Sequence, residues 1–330
     1  MTLETRYLGL ALSHPFMLGA SPLTGHLDNI KRLEDGGCSA IVMHSLFEEE
    51  VVQATAGRFP GLERALPDFL TSGGRFIVPE RFPAGPHEYV EQLRRIKEAV
   101  SIPVIGSLNG VGGDDWLDYA RLIEQAGADA LELNVYFIAA GVLDTTVEIE
   151  RHIETLVRTL KRTVRLPVAV KLLPFFTAFA NVASHLADAG ADGLVIFNRF
   201  YEPDIDIERP ALLFNMNPST NAELLLRLHW AAILFERVTA SLAITGGVHQ
   251  VGDGVRALLA GANGVQMVSA ILQQGPRHFR EMEQGLRVWM SRHQHDSIDA
   301  FRGQASLKRS GDPAYVERES YLRMLQSWAR

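Results

Sequence analysis

A lysine within an apolar segment is the first group in this sequence that could do chemistry. Lys171 stands in the apolar run of residues 168–172, where burying its charge is costly unless a partner is present. A bound anion or an electron-rich ring would be such a partner, and the alternative is a lysine that reaches out to solvent. Asn134 and Asn198 also end apolar segments. Their amides could hold a flat heterocycle through paired donor and acceptor contacts, and the alternative is a pair of structural amides.

Two consecutive glycines indicate a second kind of site. Thr245, Gly246 and Gly247 end an apolar segment and precede a helix that is predicted to begin near Gly252. Glycines let the backbone approach a ligand closely, and N–H groups ahead of a helix favour a phosphate group. Ser269 ends the next apolar segment and could add a hydroxyl to the same phosphate. The alternative to this phosphate site is a plain turn.

The remaining segment ends complete a set of small and hydrogen-bonding residues. These residues are Ala20, Ser21, His44, Ser45 and Asn109. His44 is the second potential cation of the set, because an imidazole changes its charge close to neutral pH. We interpret all of these segment ends as one candidate ligand site.

The segments that end in these residues are predicted to be strands. Each is nearly continuous in hydrophobicity, which is typical of parallel strands that are buried on both faces. They cover residues 14–20, 40–45, 103–106, 130–136, 167–173, 193–198, 241–247 and 264–269. Eight strands separated by helical segments predict an α/β fold, a (β/α)8 TIM barrel, in which functional groups collect at the C-terminal ends of the strands.

Amphipathic segments separate these strands. Residues 114–126 and 146–164 carry apolar side chains at helical spacing. Gly127, Gly190 and Gly261 follow such segments and precede strands, which is typical of a helix that ends in a tight turn. Since no linker interrupts this alternation, we predict a single domain over residues 1–330.

Four further segments lie outside the repeating strands and helices. Residues 5–14 predict an N-terminal hairpin that closes the bottom of the barrel, and residues 293–330 predict a C-terminal extension packed on its outside. Two long loops, residues 47–86 and 199–220, leave from the C-terminal ends of the second and sixth strands. Long loops within a compact fold are typical of lids and binding loops.

The composition restricts the class of protein. The chain has 330 residues, of which 47% are hydrophobic and 22% charged, as in an average globular protein. A formal net charge of -7 argues against a nucleic-acid-binding protein. The apolar segments are strand-length and the first ten residues contain no apolar leader, so we predict a cytoplasmic protein without a membrane span. With Cys38 as the only cysteine, we predict neither a disulfide framework nor a metal site.

Several short motifs occur in an order that matches a known family. They are His14-Pro15-Phe16-Met17 with Ala20-Ser21, Glu132-Leu133-Asn134, Val170-Lys171-Leu172, Asn198, Thr245-Gly246-Gly247, Val265-Gln266-Met267 and Gly275-Pro276. Together they resemble the dihydroorotate dehydrogenase family, and the layout is most similar to its cytosolic, soluble class. The resemblance covers the barrel, from residue 14 to residue 276.

This resemblance implies an FMN-dependent oxidoreductase that converts dihydroorotate to orotate in pyrimidine biosynthesis. It also implies a homodimer, and it allows a redox partner that this chain does not identify. FMN would bind at the barrel mouth, and Lys171 would lie beside its isoalloxazine ring. The cofactor-binding residues implied are Ala20, Ser21, His44, Asn109, Asn134, Lys171, Asn198, Thr245, Gly246, Gly247 and Ser269. Of these, Asn134 and Asn198 would also face the substrate, and the last three would hold the phosphate.

The chain departs from the family on the substrate side of this site. Phe137 stands where the soluble class has the cysteine that acts as the catalytic base, and a phenylalanine cannot accept a proton. Ala139 stands where an asparagine is expected, and Arg199 follows Asn198 in place of a serine. The polar motif that the family carries ahead of the third strand has no counterpart in residues 77–84. These departures weaken dihydroorotate as the substrate more than they weaken FMN binding.

Proton chemistry would therefore need another group. Tyr136 and His44 are candidates, as are Glu80 and Arg81 in the loop of residues 47–86. The alternatives are a packing aromatic for the tyrosine and a solvated pair for the two loop residues. On the phosphate side, residues 217–221 replace a glycine-rich stretch, and their hydroxyl groups could still bind a phosphate.

Four functions remain open from these residues. The first is an FMN-dependent oxidoreductase with an altered substrate pocket, and the second is another FMN-dependent barrel reductase, such as an ene-reductase or a nitronate-oxidising enzyme. The third is an FMN-binding barrel without dehydrogenase activity. The fourth, a lyase or isomerase of phosphorylated sugars, lacks a pair of acid–base carboxylates, because Glu132 is expected to point elsewhere if Asn134 faces the mouth.

Overall fold

The computed structural model shows a closed barrel of parallel strands. It describes residues 1–48, 76, 85–110, 115–213, 217–308 and 312–327. The strands are β1 (Thr5–Tyr7), β2 (Leu10–Leu12), β3 (Phe16–Leu18), β4 (Ile41–Val42), β5 (Leu46–Phe47), β6 (Val104–Asn109), β7 (Ala130–Asn134), β8 (Val168–Leu172), β9 (Gly193–Ile196), β10 (Asp204–Asp206), β11 (Ala211–Leu213), β12 (Ser241–Thr245) and β13 (Gly264–Met267).

Eight of these strands form the barrel, and each overlaps a predicted strand. Their order around the barrel is β4, β3, β13, β12, β9, β8, β7 and β6, and pairing of β4 with β6 closes it. The short strand β5 also pairs with β6, so it continues β4 after a break. The predicted (β/α)8 barrel is confirmed.

Helices surround the barrel on its outer face. Those of the described residues are α1 (Leu27–Asp35), α2 (Pro86–Ala99), α3 (Asp115–Gln125), α4 (Thr146–Thr163), α5 (Phe179–Asp188), α6 (Leu224–Leu234), α7 (Val251–Ala260), α8 (Ser269–Gln274), α9 (His278–Arg292) and α10 (Pro313–Ser327). Gly127, Gly190 and Gly261 follow α3, α5 and α7 with φ of 92°, 107° and 120°, which confirms the predicted glycine turns. None of the described helices is both long and apolar enough to span a bilayer.

The lower half of the barrel interior is apolar and is closed by the N-terminal hairpin. Strands β1 and β2 pair antiparallel, as predicted. Tyr7 and Leu12 of this hairpin pack against inward-facing side chains that include Ile105, Ala130 and Ala169. Because side chains alternate along a strand, the residues two and four places after these three face the same interior. The polar residues of the interior therefore lie in the half that is nearer the C-terminal ends of the strands.

The two long loops differ in what can be described. The loop after β9 contains a two-stranded antiparallel sheet of β10 and β11. The loop after β5 lies largely outside the described residues. Glu80 and Arg81, and with them residues 77–84, belong to that part of the chain.

The C-terminal extension has two parts. Residues 293–308 pack against the barrel, where Ile298 and Phe301 are fully buried and the Gly303 N–H donates to the carbonyl of Leu258 in α7. Helix α10 has no buried residue. The first part of the extension therefore contacts the outside of the barrel, whereas no residue of α10 is buried.

Candidate functional site

The C-terminal ends of three neighbouring strands bring three predicted site residues together. Asn109 of β6 lies opposite Asn134 of β7, and Asn134 lies opposite Lys171 of β8. All three follow apolar interior residues by two or four places, so they face into the barrel. Each is at most 8% exposed. They form one polar wall of the barrel mouth.

Lys171 has a buried carboxylate as its partner. Its Nζ lies 3.2 Å from Oε1 of Glu132, which is fully buried. The second oxygen, Oε2, accepts a hydrogen bond of 2.6 Å from Nε2 of Gln266. The expectation that Glu132 points elsewhere is wrong, because Glu132 and Asn134 are two residues apart and share the inner face of β7. Lys171 is therefore held inside the barrel as half of an ion pair.

The two predicted substrate-facing asparagines are in contact. Nδ2 of Asn198 donates to Oδ1 of Asn134 at 2.8 Å, and Oδ1 of Asn198 accepts from the backbone N–H of Arg199 at 2.9 Å. Nδ2 of Asn134 has no partner among the described residues and can donate to a ligand. The guanidinium of Arg199 lies 3.2 Å from the carboxylate of Glu223, so this cation is already paired.

The first and last barrel strands contribute two buried polar atoms that lack a hydrogen-bond partner among the described residues. They are Oγ of Ser21, which follows half-buried Ala20, and Oε1 of Gln266. A Cβ on Gly19 would lie 3.3 Å from this Gln266 oxygen and 3.1 Å from Cγ2 of Val268. Buried polar atoms without a partner are uncommon in folded proteins. A ligand at this side of the mouth could satisfy both.

His44 lies at the end of the second strand and is uncharged at neutral pH. Oγ1 of Thr24 lies 3.0 Å from its Nδ1, and the ring meets Tyr89 edge-on at 5.0 Å between centroids. Burial lowers the pKa of His44 to about 4. His44, which the sequence offers as a potential cation, therefore carries no positive charge at neutral pH. The neighbouring hydroxyl of Ser45 lies 2.8 Å from that of Ser107.

We expect His44→Gln to reduce the acid sensitivity of the fold. Because the pKa of His44 is lower in the folded chain than the ~6.5 of an unfolded histidine, the unfolded chain takes up its proton first as the pH falls. Neutral His44 therefore makes its full contribution to the free energy of unfolding above about pH 6.5. This contribution declines as the pH falls towards about 4, and at about pH 5 the decline is about 2 kcal/mol. Urea unfolding at the two ends of this range measures the decline. An equal decline in wild type and variant would contradict the assignment.

The predicted phosphate residues lie together at the ends of β12 and β13. Gly246 and Gly247 have φ of 89° and 79°, and a Cβ on Gly247 would lie 2.5 Å from the first backbone nitrogen of α6. The Gly247 N–H donates to Oγ of Ser219 at 3.3 Å, and the Ser219 N–H donates to Oγ of Ser269 at 2.9 Å. Nε2 of His249 is also 3.3 Å from the Ser219 hydroxyl. Ser219 is thus the link between the glycines and Ser269.

The N-terminus of the following helix is capped by a carboxylate. Oδ2 of Asp253 accepts hydrogen bonds of 2.9 Å from the backbone N–H groups of His249 and Gln250. This capping carboxylate offsets the positive end of the α7 dipole. Helix α7 therefore offers a phosphate group less positive charge than the sequence predicts.

Arg227 is a buried arginine that was not predicted from the sequence, and it connects the glycine and serine groups to the end of β9. Arg227 of α6 is 5% exposed, and its guanidinium donates to the backbone carbonyls of Thr245, Phe197 and Glu223. Burial lowers the pKa of Arg227, and the Glu223 carboxylate acts in the opposite direction. A signal was available, because a lone arginine interrupts the apolar residues of α6.

The position of the family's catalytic base is apolar and open to solvent. Phe137 is 40% exposed, and Ala139 is exposed as well. Burial raises the pKa of the neighbouring Tyr136. Such a phenol stays protonated at neutral pH, so it can donate a proton but cannot act as a base.

Aromatic side chains lie close together on the three successive loops that follow β7, β8 and β9. Phe200 meets Phe175 edge-on, with 5.1 Å between ring centroids, and its ring is tilted against that of Tyr201 at 5.2 Å. Tyr136 lies close enough to Tyr201 for their hydroxyl groups to interact electrostatically. Phe175 and Tyr201 are 60% and 39% exposed. We call Tyr136, Phe175, Phe200 and Tyr201 the aromatic surface.

Neither a metal centre nor a reactive thiol is found in the described part of the chain. No group of three or more His, Cys, Asp or Glu side chains there could hold a metal ion. Cys38 is buried, and its Sγ donates to the carbonyl of Ala40 at 3.0 Å. Burial raises the pKa of Cys38 to about 12, so the thiol is protonated at neutral pH.

The chain is similar to several dehydrogenases along most of its length. It is 26% identical over 309 residues to the dihydroorotate dehydrogenase B (NAD(+)) catalytic subunit of Methanothermobacter thermautotrophicus, which covers 92% of this chain and 98% of the relative. The corresponding subunit of Methanocaldococcus jannaschii is 25% identical over 291 residues, with coverage of 85% and 90%. The NAD-dependent dihydropyrimidine dehydrogenase subunit PreA of Escherichia coli K12 is 25% identical over 320 residues, with coverage of 92% and 77%. No protein-family model matches the chain.

Proposed function

Because the chain is a divergent relative of the dihydroorotate dehydrogenases, we propose that it is an FMN-dependent oxidoreductase that acts on a CH–CH group. One observation carries the proposal. Asn109, Asn134 and Lys171 stand side by side on the inner wall of the barrel mouth, where their side chains can meet one ligand. Their number and type suit a flat heterocycle with several hydrogen-bonding atoms.

The groups around this wall fit a flavin. Glu132 is the partner of the Lys171 ammonium among the described residues, and it leaves two of the three N–H donors for a ligand. Nδ2 of Asn134 is a further donor, and the Ser21 hydroxyl is buried without a partner in the described structure. Asn109 is also buried, and it lies directly beside Asn134 on the neighbouring strand. A flavin would satisfy donors that are costly to leave unpaired.

The chain's own residues would bind and orient the cofactor. When bound, FMN would supply the acceptor for the hydride, two electrons with one proton, that leaves one carbon of the substrate. The proton from the second carbon would pass to solvent, because the position of Phe137 is exposed. Lys171 would hold a positive charge beside the ring, where it favours negative charge. Asn134 would orient the ring through its amide. The apolar lower interior, closed by the hairpin with Tyr7, would exclude water from below.

The phosphate would bind at the glycine and serine groups of the last two strands. Gly246 and Gly247 allow the backbone to approach it, and Ser269 and Ser219 offer hydroxyl groups. For this binding, the Ser219 hydroxyl would give up its contact with the Gly247 N–H. Arg227 would act indirectly, since it holds the carbonyl that precedes the two glycines.

We propose a flat substrate without a carboxylate, which makes dihydroorotate a poor one. A substrate carboxylate needs a cation or several donors, whereas Arg199 is paired with Glu223 and Asn198 is bound to Asn134. The aromatic surface, in which Phe175 and Tyr201 are exposed, offers apolar contacts instead, which favour apolar or aromatic molecules.

The visible absorbance spectrum of freshly purified protein tests the proposed function. A flavin band, with FMN identified by mass after denaturation, is the expected result. Reduction of this band by a panel of neutral and anionic substrates would then identify the substrate class. A colourless protein that takes up no added FMN would overturn the proposal.

We expect Phe137→Cys to restore little dihydroorotate turnover. A catalytic base is worth about 10²–10⁴-fold when the rest of the pocket is in place. Here Ala139 and Arg199 also depart from the family, so we expect an increase of less than about tenfold. Steady-state rates with Phe137→Ser as the control measure the effect of the thiol alone. A gain of about 10²-fold or more over the serine variant would contradict the altered pocket.

A second candidate is an FMN-binding barrel without dehydrogenase activity. Phe137 favours it, because the position where the resembled class has its catalytic base carries a side chain that cannot accept a proton. A flavin that no substrate of the panel reduces would support this candidate. By resemblance we further propose a homodimer in the cytoplasm. Two of the named relatives are catalytic subunits and a third is a subunit, so we also propose a separate redox partner for this chain.

A further inference from the structure

A buried carboxylate lies directly below the proposed cofactor site. Glu132 is fully buried, with one oxygen 3.2 Å from the Lys171 ammonium and the other held by Gln266 at 2.6 Å. Tyr7 closes the barrel from below, and its hydroxyl is buried without a partner in the described structure. Burial raises the pKa of Tyr7, and the nearby charge of Glu132 raises it further. The carboxylate is thus enclosed on the barrel axis between the hairpin and the mouth.

The contacts around Glu132 hold it in one place. Gln266 belongs to β13 and Lys171 to β8, so the carboxylate connects opposite sides of the barrel interior. Water does not reach it, and no second cation among the described residues contacts it. At this depth a unit charge acts on its neighbours with much less screening than at the surface. Whatever lies above Lys171 therefore experiences both charges of the pair.

We propose that Glu132 is a positioning residue that both holds the Lys171 ammonium and limits its preference for the reduced cofactor. This inference rests on the proposed function, because it concerns FMN above Lys171. Reduction makes the flavin more negative. The Lys171 charge favours that form, and the Glu132 charge beside it opposes it. The pair therefore keeps the reduction potential lower than Lys171 alone would set it.

The substitution Glu132→Gln tests this proposal, since it removes the charge and nearly preserves the shape. We expect the ratio of the FMN dissociation constants for the oxidised and reduced forms to rise at least tenfold. For a two-electron couple, tenfold corresponds to a potential about 30 mV higher. Dye-equilibrated reduction of the holoprotein measures the potential, and fluorescence titration with FMN measures the affinity of the oxidised form.

Three further variants separate charge from structure. Glu132→Asp keeps the charge and should return the potential towards that of wild type. Gln266→Leu disturbs the same contacts without changing a charge, so the ratio should stay within threefold of wild type. Glu98→Gln removes an exposed carboxylate from α2 and should leave the potential unchanged.

The outcomes distinguish this inference from the proposed function. If wild type binds no FMN, the proposed function and this inference both fail. If wild type binds FMN but Glu132→Gln leaves the potential unchanged or lowers it, only the role of Glu132 is overturned. An equal rise in potential in Gln266→Leu would also overturn it, because the effect would then be structural.

Discussion

Replacement of Lys171 by methionine is expected to weaken FMN binding by about 30-fold and to destabilise the protein without cofactor by about 3 kcal/mol. The first effect follows because a charge-assisted hydrogen bond to a ligand contributes about 2 kcal/mol. The second follows because Glu132, which is fully buried, would lose its cation. Breaking one side of a buried ion pair typically costs about 3–5 kcal/mol.

A double variant separates these two effects. Lys171→Met combined with Glu132→Gln removes both charges, so we expect it to recover most of the lost stability. It should not recover FMN affinity, because the donor that faces the mouth is still missing. FMN titration and urea unfolding of the protein without cofactor measure the two quantities. An FMN dissociation constant within about threefold of wild type in the single variant would remove Lys171 from the site.

Replacement of Arg227 by alanine is expected to lower the free energy of unfolding by about 4 kcal/mol. Its guanidinium binds three backbone carbonyls, those of Thr245, Phe197 and Glu223, and all of these bonds are at least partly buried. Each bond from a charged donor contributes about 1.5–3 kcal/mol, and the carbonyls would be left without this partner. We also expect weaker FMN binding, because the Thr245 carbonyl directly precedes Gly246.

The control for this substitution is an exposed arginine near the end of the same helix. Arg237 donates to the carbonyl of Leu307 at 2.7 Å, and Arg237→Ala should cost less than about 1 kcal/mol. Urea unfolding of both variants gives the comparison. Equal losses in the free energy of unfolding of Arg227→Ala and Arg237→Ala would show that the buried contacts of Arg227 do not contribute more than an exposed one.

Local patterns were sufficient to predict the architecture. Each strand of a parallel barrel is buried on both faces, and each helix on one, so their apolar residues follow two different periods that can be read from a short stretch. Gly127, Gly190 and Gly261 marked the ends of three helices because the left-handed backbone there excludes most other residues. The segment ends predicted as one site, among them Asn109, Asn134 and Lys171, do meet at one end of the barrel.

The electrostatic state of the site could not be read in this way. The sequence indicates that Lys171 needs a partner, and we expected that partner to be a ligand. The structure shows that the partner is Glu132, which lies 39 residues earlier in the chain. Gln266, which binds the Glu132 carboxylate, is a further 134 residues away from Glu132. His44 was treated as a potential cation, and its pKa of about 4 depends on how deeply the closed barrel buries it. Arg227 was not considered, because nothing local shows which carbonyls a helical arginine will meet.

The amino-acid sequence alone determined the strands, the helices, the barrel and the positions that face its mouth, because these follow from the spacing of apolar residues and glycines along the chain. Only the tertiary structure decided which buried polar groups are paired and which carry a charge. Those properties depend on the register between strands far apart in sequence and on the exclusion of water when the barrel closes. Glu132 illustrates the difference, since alternation along β7 gives its direction, while closure of the barrel supplies both of its partners.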